Sequence, residues 1–253
     1  MRDQMEIKPS ASSIVVQEQN EEKALQALSL SIILFCALVF NSVTIFVILR
    51  TRSLRQNLHN LLMLNLAVAD LGVALASMTF SMGAIFDEGR YLESHRAVCK
   101  VSGFLAIGFS FTNLPLIFSI AFDRFLVVVC SSRRSPPKRL RIGLLIGMSW
   151  AVGFFVATMG ITGWLSEFRY NMYTKHCTPV WTNKGFRILC VVLNYGITIP
   201  SLVFFYAVIT FYLRRERLQL EAYEITRSTY TPKSSFPVDR SETPEVDWSS
   251  SQV

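Results

Sequence analysis

Apolar residues are concentrated in five long runs, which short segments rich in charged and turn-forming residues separate. Each run can cross the hydrocarbon core of a bilayer, about 30 Å thick, as a helix that rises about 1.5 Å per residue. We therefore predict an all-α membrane protein, a bundle of five transmembrane helices. The predicted spans are residues 28–49, 58–86, 99–129, 142–164 and 188–213.

Polar segments flank these spans and predict how the chain is oriented. Residues 1–26 read as an extracellular tail, 27–217 as the transmembrane domain and 218–253 as a disordered cytoplasmic tail. The loops after spans one, three and five carry 3, 6 and 6 Lys or Arg residues, against 3, 3 and 4 in the N-terminal tail and the other two loops. Because positive loops stay cytoplasmic, the N-terminus is expected outside and the C-terminus in the cytosol.

Charge and composition exclude several classes of function. The formal net charge is +7, but the basic residues lie in loops, tails and helix ends, which favours anionic lipid headgroups over nucleic acid. A membrane enzyme would need a nucleophile with its base, or metal ligands, at membrane depth, where only the lone Asp70 is found. His59, His95 and His176 are scattered among loops and are expected to be solvated. We predict no enzyme activity and no cofactor.

Cysteine and glycine positions predict two kinds of helix contact. Cys99 opens the third span and Cys177 lies in the longest loop, so both are on the outer side, where an oxidising environment would let them pair. The fourth span is rich in glycines, which suit close approach of helices in a membrane. These glycines are Gly143, Gly147, Gly153, Gly160 and Gly163.

An ordered set of residues resembles the first five helices of a rhodopsin-like G-protein-coupled receptor, over about residues 28–217. The residues that match in type, order and approximate spacing are Asn41, Leu66 to Asp70, Cys99, Asp123-Arg124-Phe125, Trp150, Cys177 and Pro200. The resemblance implies that Trp150 and Pro200 are structural, and Pro200 is expected to kink its helix. It also implies that Asp123 holds Arg124 at rest, and that the released Arg124 meets the G protein. Phe125 stands where the family has Tyr.

The resemblance also implies a polar network inside the bundle. In this family the Asp of span two helps to hold a sodium ion, and Asp70 fits that position. The alternative is a protonated Asp70 that is hydrogen-bonded to Asn41 and Asn113. An acid at this depth requires one of these solutions because an unpaired charge is costly there.

The sequence places only a few limits on the chemistry of the ligand. Amine receptors carry an Asp on the outer half of span three, and the matching position here is Ala106, so an amine ligand is not expected. Helical spacing would turn five further residues toward a pocket, although ordinary helix packing is an equal alternative for each. These are Ile107, Ser110, Phe111, Val192 and Gly196.

The helix-six and helix-seven motifs of the family are absent from the sequence, so we expect a receptor truncated after its fifth helix. The function that follows is G-protein-coupled receptor activity, which carries a non-amine signal across the plasma membrane. The alternative is a non-signalling, receptor-like protein that acts by associating with partner receptors. The expected partners are a heterotrimeric G protein, an extracellular ligand, the bilayer, a second receptor and, at Ser251–Val253, a PDZ domain.

Overall fold

Five helices in the computed structural model, which describes residues 11–130 and 138–230, are long and apolar enough to cross a membrane. The five predicted spans are therefore confirmed as helices. They run over Asn20–Arg50, Leu58–Asp87, Arg96–Val128, Arg139–Ile161 and Lys184–Arg227.

Several shorter elements and two π-helical segments complete the secondary structure. The second span consists of an α-helix, a π-helical segment and another α-helix in sequence, and the fifth span has the same construction. In chain order the elements are α1 (Ala11–Arg50), α2 (Arg52–Gln56), α3 (Leu58–Val73), π1 (Ala74–Met78), α4 (Thr79–Asp87), α5 (Arg90–Ser94), α6 (Arg96–Val128), α7 (Lys138–Ile161), β1 (Ser166–Asn171), β2 (His176–Trp181), α8 (Lys184–Val191), π2 (Val192–Ile197) and α9 (Thr198–Tyr230).

Both terminal helices extend beyond the bounds that hydropathy predicts. Helix α1 begins at Ala11, inside the predicted N-terminal tail, and α9 continues to Tyr230, past residue 218, where a disordered tail was expected. The expectation of disorder is therefore wrong for residues 218–230. Both extensions are polar but rich in Glu, Gln, Ala and Leu and lack Pro and Gly, so intrinsic helix propensity continues the helix after the apolar run ends.

The chain divides into two compact units, residues 1–210 and 211–253. The first contains the helical bundle and the hairpin β1–β2. The described part of the second is the C-terminal end of α9, where Arg217 and Glu221 form an exposed ion pair at 3.0 Å.

Helix α6 is the centre of the first unit, with α3 and α7 packed against it. A cluster of four side chains from these three helices, each at most 1% exposed, forms the core: Leu62, Ala69, Leu116 and Ile142. Because lipid tails are as apolar as leucine, contacts between such helices depend on van der Waals fit more than on escape from water. The outer faces stay apolar for the same reason, as Phe35 and Phe40 on α1 illustrate at 67% and 66% exposed.

An antiparallel hairpin that the sequence analysis did not predict covers the N-terminal end of α6 and the C-terminal end of α7. Strands β1 and β2 pair with Tyr170 opposite Cys177, and a disulfide joins Cys177 to Cys99 at the start of α6. The side chain of Phe168 is 3% exposed and fills the space beside Gly103 and Gly160. The predicted cysteine pair is therefore present, and it holds the hairpin against the bundle.

The five glycines of the fourth predicted span differ sharply in what surrounds them, and four of them lie on α7 while Gly163 lies just after it. A Cβ atom added at Gly153 would lie 2.1 Å from Thr112 Oγ1 and 2.4 Å from the carbonyl oxygen of Gly108, both on α6. A Cβ atom at Gly160 would meet the ring of Phe168 at 2.6 Å, whereas Gly143, Gly147 and Gly163 have no atom within 4 Å of theirs. The prediction of close helix contact is thus correct at Gly153 but wrong at Gly143 and Gly147.

We predict that Gly153→Ala destabilises the bundle by about 1–3 kcal/mol, because the added methyl group forces α6 and α7 apart. Gly147→Ala is the matched control on the same helix, and it should be neutral or stabilising by up to about 1 kcal/mol through higher helix propensity. The measurement is thermal denaturation of the purified variants in detergent, followed by tryptophan fluorescence. Equal unfolding temperatures for the two variants would contradict the close contact.

Candidate functional site

Asp123, near the C-terminal end of α6, is a buried carboxylate that contacts two other helices. Its side chain is 1% exposed. Arg141 in the first turn of α7 donates from Nη2 to Asp123 Oδ1 at 2.7 Å, and His59 in the first turn of α3 contacts Oδ2 through Nδ1.

The position of His59 follows from the start of its helix. Asn57 caps the N-terminus of α3, and its side chain accepts a hydrogen bond from the backbone N–H of His59. This cap places His59 in the first turn, where the imidazole reaches across to α6. The expectation that His59 is solvated is therefore wrong, because its side chain is 14% exposed and bound to Asp123.

Asp123 and Arg141 form a buried ion pair in this cluster. Removing a carboxylate from water costs several kcal/mol, which is offset only where charged partners satisfy its lone pairs with good geometry. Arg141, itself 9% exposed at its side chain, supplies the opposite charge, and His59 supplies a second polar contact from another helix. The cluster therefore ties the inner ends of α3, α6 and α7 together at one point.

Arg124, the neighbour of Asp123, is left out of this cluster. Its side chain is exposed, and no hydrogen bond or ion pair joins it to any residue within ranges 11–130 and 138–230. The expected hold of Asp123 on Arg124 is thus not seen, because successive helical residues point about 100° apart and Asp123 faces the interior. The guanidinium remains available at the surface.

Phe125 connects α6 to α9 through ring packing. Its ring centroid lies 5.2 Å from that of Phe205 and 6.3 Å from that of Phe204. Phe118 and Phe122, further up the same face of α6, also pack on Phe205, at 5.6 and 5.8 Å. Where the family has a phenol hydroxyl, this chain therefore has an apolar contact with the fifth span.

The predicted polar network forms only in part. Asn113 Nδ2 donates to Asp70 Oδ1 at 2.8 Å, as expected, but Asn41 donates to the carbonyl oxygen of Ala37 in its own helix. Asn113 thus turns a donor group toward Asp70. A sodium ion would need oxygen ligands there, so this geometry fits a hydrogen-bonded pair better than sodium coordination.

Trp150 and Pro200 occupy distinct structural positions. The indole Nε1 of Trp150 donates to Asn65 Oδ1 at 2.9 Å, which adds a polar link between α7 and α3. Pro200 is the third residue of α9, directly after segment π2. Proline cannot donate to the carbonyl four residues before it, so an irregular turn at this place has a local cause.

The six residues predicted to line a ligand pocket lie on α6 and π2, which contact each other. Ala106 is 4% exposed, the other three on α6 are half-buried, and the two on π2 are exposed. None of them lines either of the two clefts described below. The six are Ala106, Ile107, Ser110, Phe111, Val192 and Gly196.

A cleft of about 360 Å³ that the sequence analysis missed lies between the hairpin and the outer end of α6. Charged side chains of both signs line it: Glu93, Arg96, Lys100, Glu167 and Arg169. A hydrogen bond from Arg169 and its positive charge lower the pKa of Glu167. Only the folding of the hairpin onto α6 brings these residues of α5, α6 and β1 together.

Comparisons with known proteins agree with this geometry. The family described as "7 transmembrane receptor (rhodopsin family)" matches residues 40–235. "Visual pigment-like receptor peropsin" of Mus musculus is 28% identical over 177 residues, which cover 67% of this chain and 50% of that protein. "5-hydroxytryptamine receptor" of Lymnaea stagnalis is 26% identical over 210 residues, which cover 83% of this chain and 40% of that protein.

Among solved structures, the fold resembles the crystal structure of squid rhodopsin. The two superpose with a TM-score of 0.64 at 22% identity, over 81% of this chain and 60% of that one. The chain thus spans half or less of the length of the two curated relatives described above.

We predict that Asp123→Asn lowers the free energy of unfolding by about 3 kcal/mol or more, because the buried Arg141 loses the carboxylate charge that compensates it. The control is Glu167→Gln, which breaks an ion pair that is exposed and should leave the unfolding temperature unchanged. Thermal denaturation in detergent measures both. A similar shift for the two variants would show that burial of Asp123 is unimportant for stability.

Proposed function

Because the chain belongs to the rhodopsin family of seven-transmembrane receptors, we propose that it acts as a G-protein-coupled receptor. It would be a multi-pass protein of the plasma membrane that passes an extracellular signal to a heterotrimeric G protein. Members of this family are receptors and not enzymes, in agreement with the sequence analysis. The N-terminus would lie outside and the C-terminus in the cytosol, as the distribution of basic residues predicts.

The observation that carries the proposal is that Asp123 is buried and bound by other helices, whereas its neighbour Arg124 is exposed. Asp123 is fully engaged with His59 and Arg141, and Arg124 is exposed at the inner end of α6. A free guanidinium presents five donors, a pattern suited to carbonyl and carboxylate groups of a protein partner. Arg124 would then be the contact with the G protein, and Phe125 would couple α6 to α9.

The ligand would not be an amine that is recognised by ion pairing on α6. Ala106, at the position where amine receptors carry an Asp, is apolar and 4% exposed, so it offers no counter-charge to an ammonium group. Ile107, Ser110, Phe111, Val192 and Gly196 stay predicted ligand contacts. Pairing with a second receptor stays a prediction, as does the PDZ ligand at Ser251–Val253, which lies outside the described residues.

The proposal is tested by nucleotide exchange on co-expressed Gα subunits, measured as GTPγS binding to membranes that contain the full 253-residue chain. We predict that Arg124→Ala lowers ligand-independent exchange about tenfold, the factor expected when a partner loses one charge-assisted hydrogen bond. Arg139→Ala, which removes an exposed arginine near the start of α7, is the control and should change exchange less than twofold.

Surface labelling of tagged chains checks that both variants reach the plasma membrane in equal amounts. Equal activities of Arg124→Ala and wild type would refute the role of Arg124. If the wild-type chain drives no exchange but co-purifies with a full-length receptor and lowers its surface level, the non-signalling function replaces the proposed one.

A further inference from the structure

A second cleft, of about 390 Å³, lies between α7 and the outer part of the fifth span. Its walls are almost entirely apolar and include Val152, Phe155, Val156, Phe186, Leu189 and Leu193. No charged side chain lines it. Phe155, Leu189 and Leu193 are 57%, 51% and 51% exposed, so the cleft opens on the outside of the bundle, where the bilayer lies.

The polar exception in this wall is Asn194, in segment π2. The residue is 5% exposed, and its Nδ2 donates to the carbonyl oxygen of Cys190 at 3.2 Å. Its Oδ1 is buried and accepts no hydrogen bond from any residue that the structure describes. Buried acceptors are nearly always satisfied in folded proteins, so an unsatisfied amide oxygen at the edge of a cleft points to a missing donor.

Water does not supply that donor well. A buried water molecule normally makes two to four hydrogen bonds, and this cleft offers it one polar side chain. Asn194 also lies about 15 Å along the helix from Lys184, the first residue of α8, at about 1.5 Å per residue. Phospholipid headgroups stay near the membrane surface, and a cleft without cations would not compensate a phosphate or a carboxylate.

We propose that this cleft binds a small, uncharged, lipid-soluble alcohol, whose hydroxyl group donates a hydrogen bond to Asn194 Oδ1. The volume of the cleft falls in the range of small-molecule sites, and apolar walls with one oriented polar group are typical of them. The terminal torsion of an asparagine side chain is soft, so a small rotation brings the oxygen to the surface of the cleft. Such a ligand would enter sideways from the bilayer.

The site is separate from the proposed coupling residue Arg124 and from the six predicted pocket residues on α6 and π2. Asn194 lies in the π-helical segment π2, and π-helical turns inside α-helices occur often at functional sites. Binding here can therefore be tested without any signalling readout, so that failure of this proposal and failure of the proposed receptor function are distinguishable.

The test uses the full chain in phosphatidylcholine nanodiscs and a diazirine-bearing octanol as the photolabel, with mass spectrometry to locate the labelled residues. We expect labelling at the cleft residues of α7 and α8. Octanol should compete for this labelling about fivefold better than its methyl ether, which is the ratio expected for one net hydrogen bond. This comparison needs no variant and so does not depend on how a variant folds.

Two substitutions sharpen the result. Asn194→Leu keeps the approximate shape of the side chain and should abolish the preference for the alcohol over the ether. Val152→Trp should fill the cleft and remove the labelling, whereas Leu144→Trp, at a position on α7 that is 57% exposed and outside the cleft, should leave it unchanged.

Equal competition by alcohol and ether in the wild type would overturn the proposal. So would labelling that persists in Val152→Trp. Absence of labelling at the cleft would likewise refute the alcohol site.

Discussion

The rest of the structure depends on how one buried negative charge is neutralised. Asp123 lies in the interior at the inner end of α6, and a charge in that position must be compensated or it destabilises the fold. Arg141 on α7 carries the compensating charge, and His59 on α3 contacts the same carboxylate. The same interaction therefore joins three helices and leaves Arg124 at the surface. The stability of the bundle and the proposed coupling role of Arg124 thus both depend on how Asp123 is bound.

Elsewhere in the bundle, van der Waals contact between closely packed helices stabilises the structure more than the hydrophobic effect does. The α6–α7 contact depends on Gly153, where the backbone and Thr112 leave no room for a methyl group. Polar links such as Asn113 to Asp70 and Trp150 to Asn65 join helices where lipid offers no competing hydrogen bond. On the outer side, the disulfide between Cys99 and Cys177 holds the hairpin over the helix ends. Close helix packing, polar links between helices and the disulfide thus stabilise different parts of the bundle.

The two π segments mark places where regular helix is interrupted inside a membrane span. An interruption frees or redirects backbone groups, which must find other partners because water is absent there. In π1 and π2, side-chain hydroxyls do this locally: Thr79 donates to Ala74, and Thr198 donates to Leu193. The side-chain oxygen Oδ1 of Asn194, in π2, lacks such a partner among the described residues, and it is the acceptor in the alcohol site that we propose.

The five spans and the family motifs could be predicted from the chain alone, because length, hydropathy and residue order can be read without knowing the packing. The pairing of Cys99 with Cys177 could be predicted because the order of the spans puts both cysteines on one side of the bundle. The sequence did not determine that His59 reaches Asp123, that Gly153 rather than Gly147 meets α6, or that Asn41 stays apart from Asp70. These depend on the rotation of each helix about its own axis. In a bilayer both the lipid-facing and the protein-facing sides of a helix are apolar, so hydropathy carries little information about that rotation. Only the tertiary packing decides it.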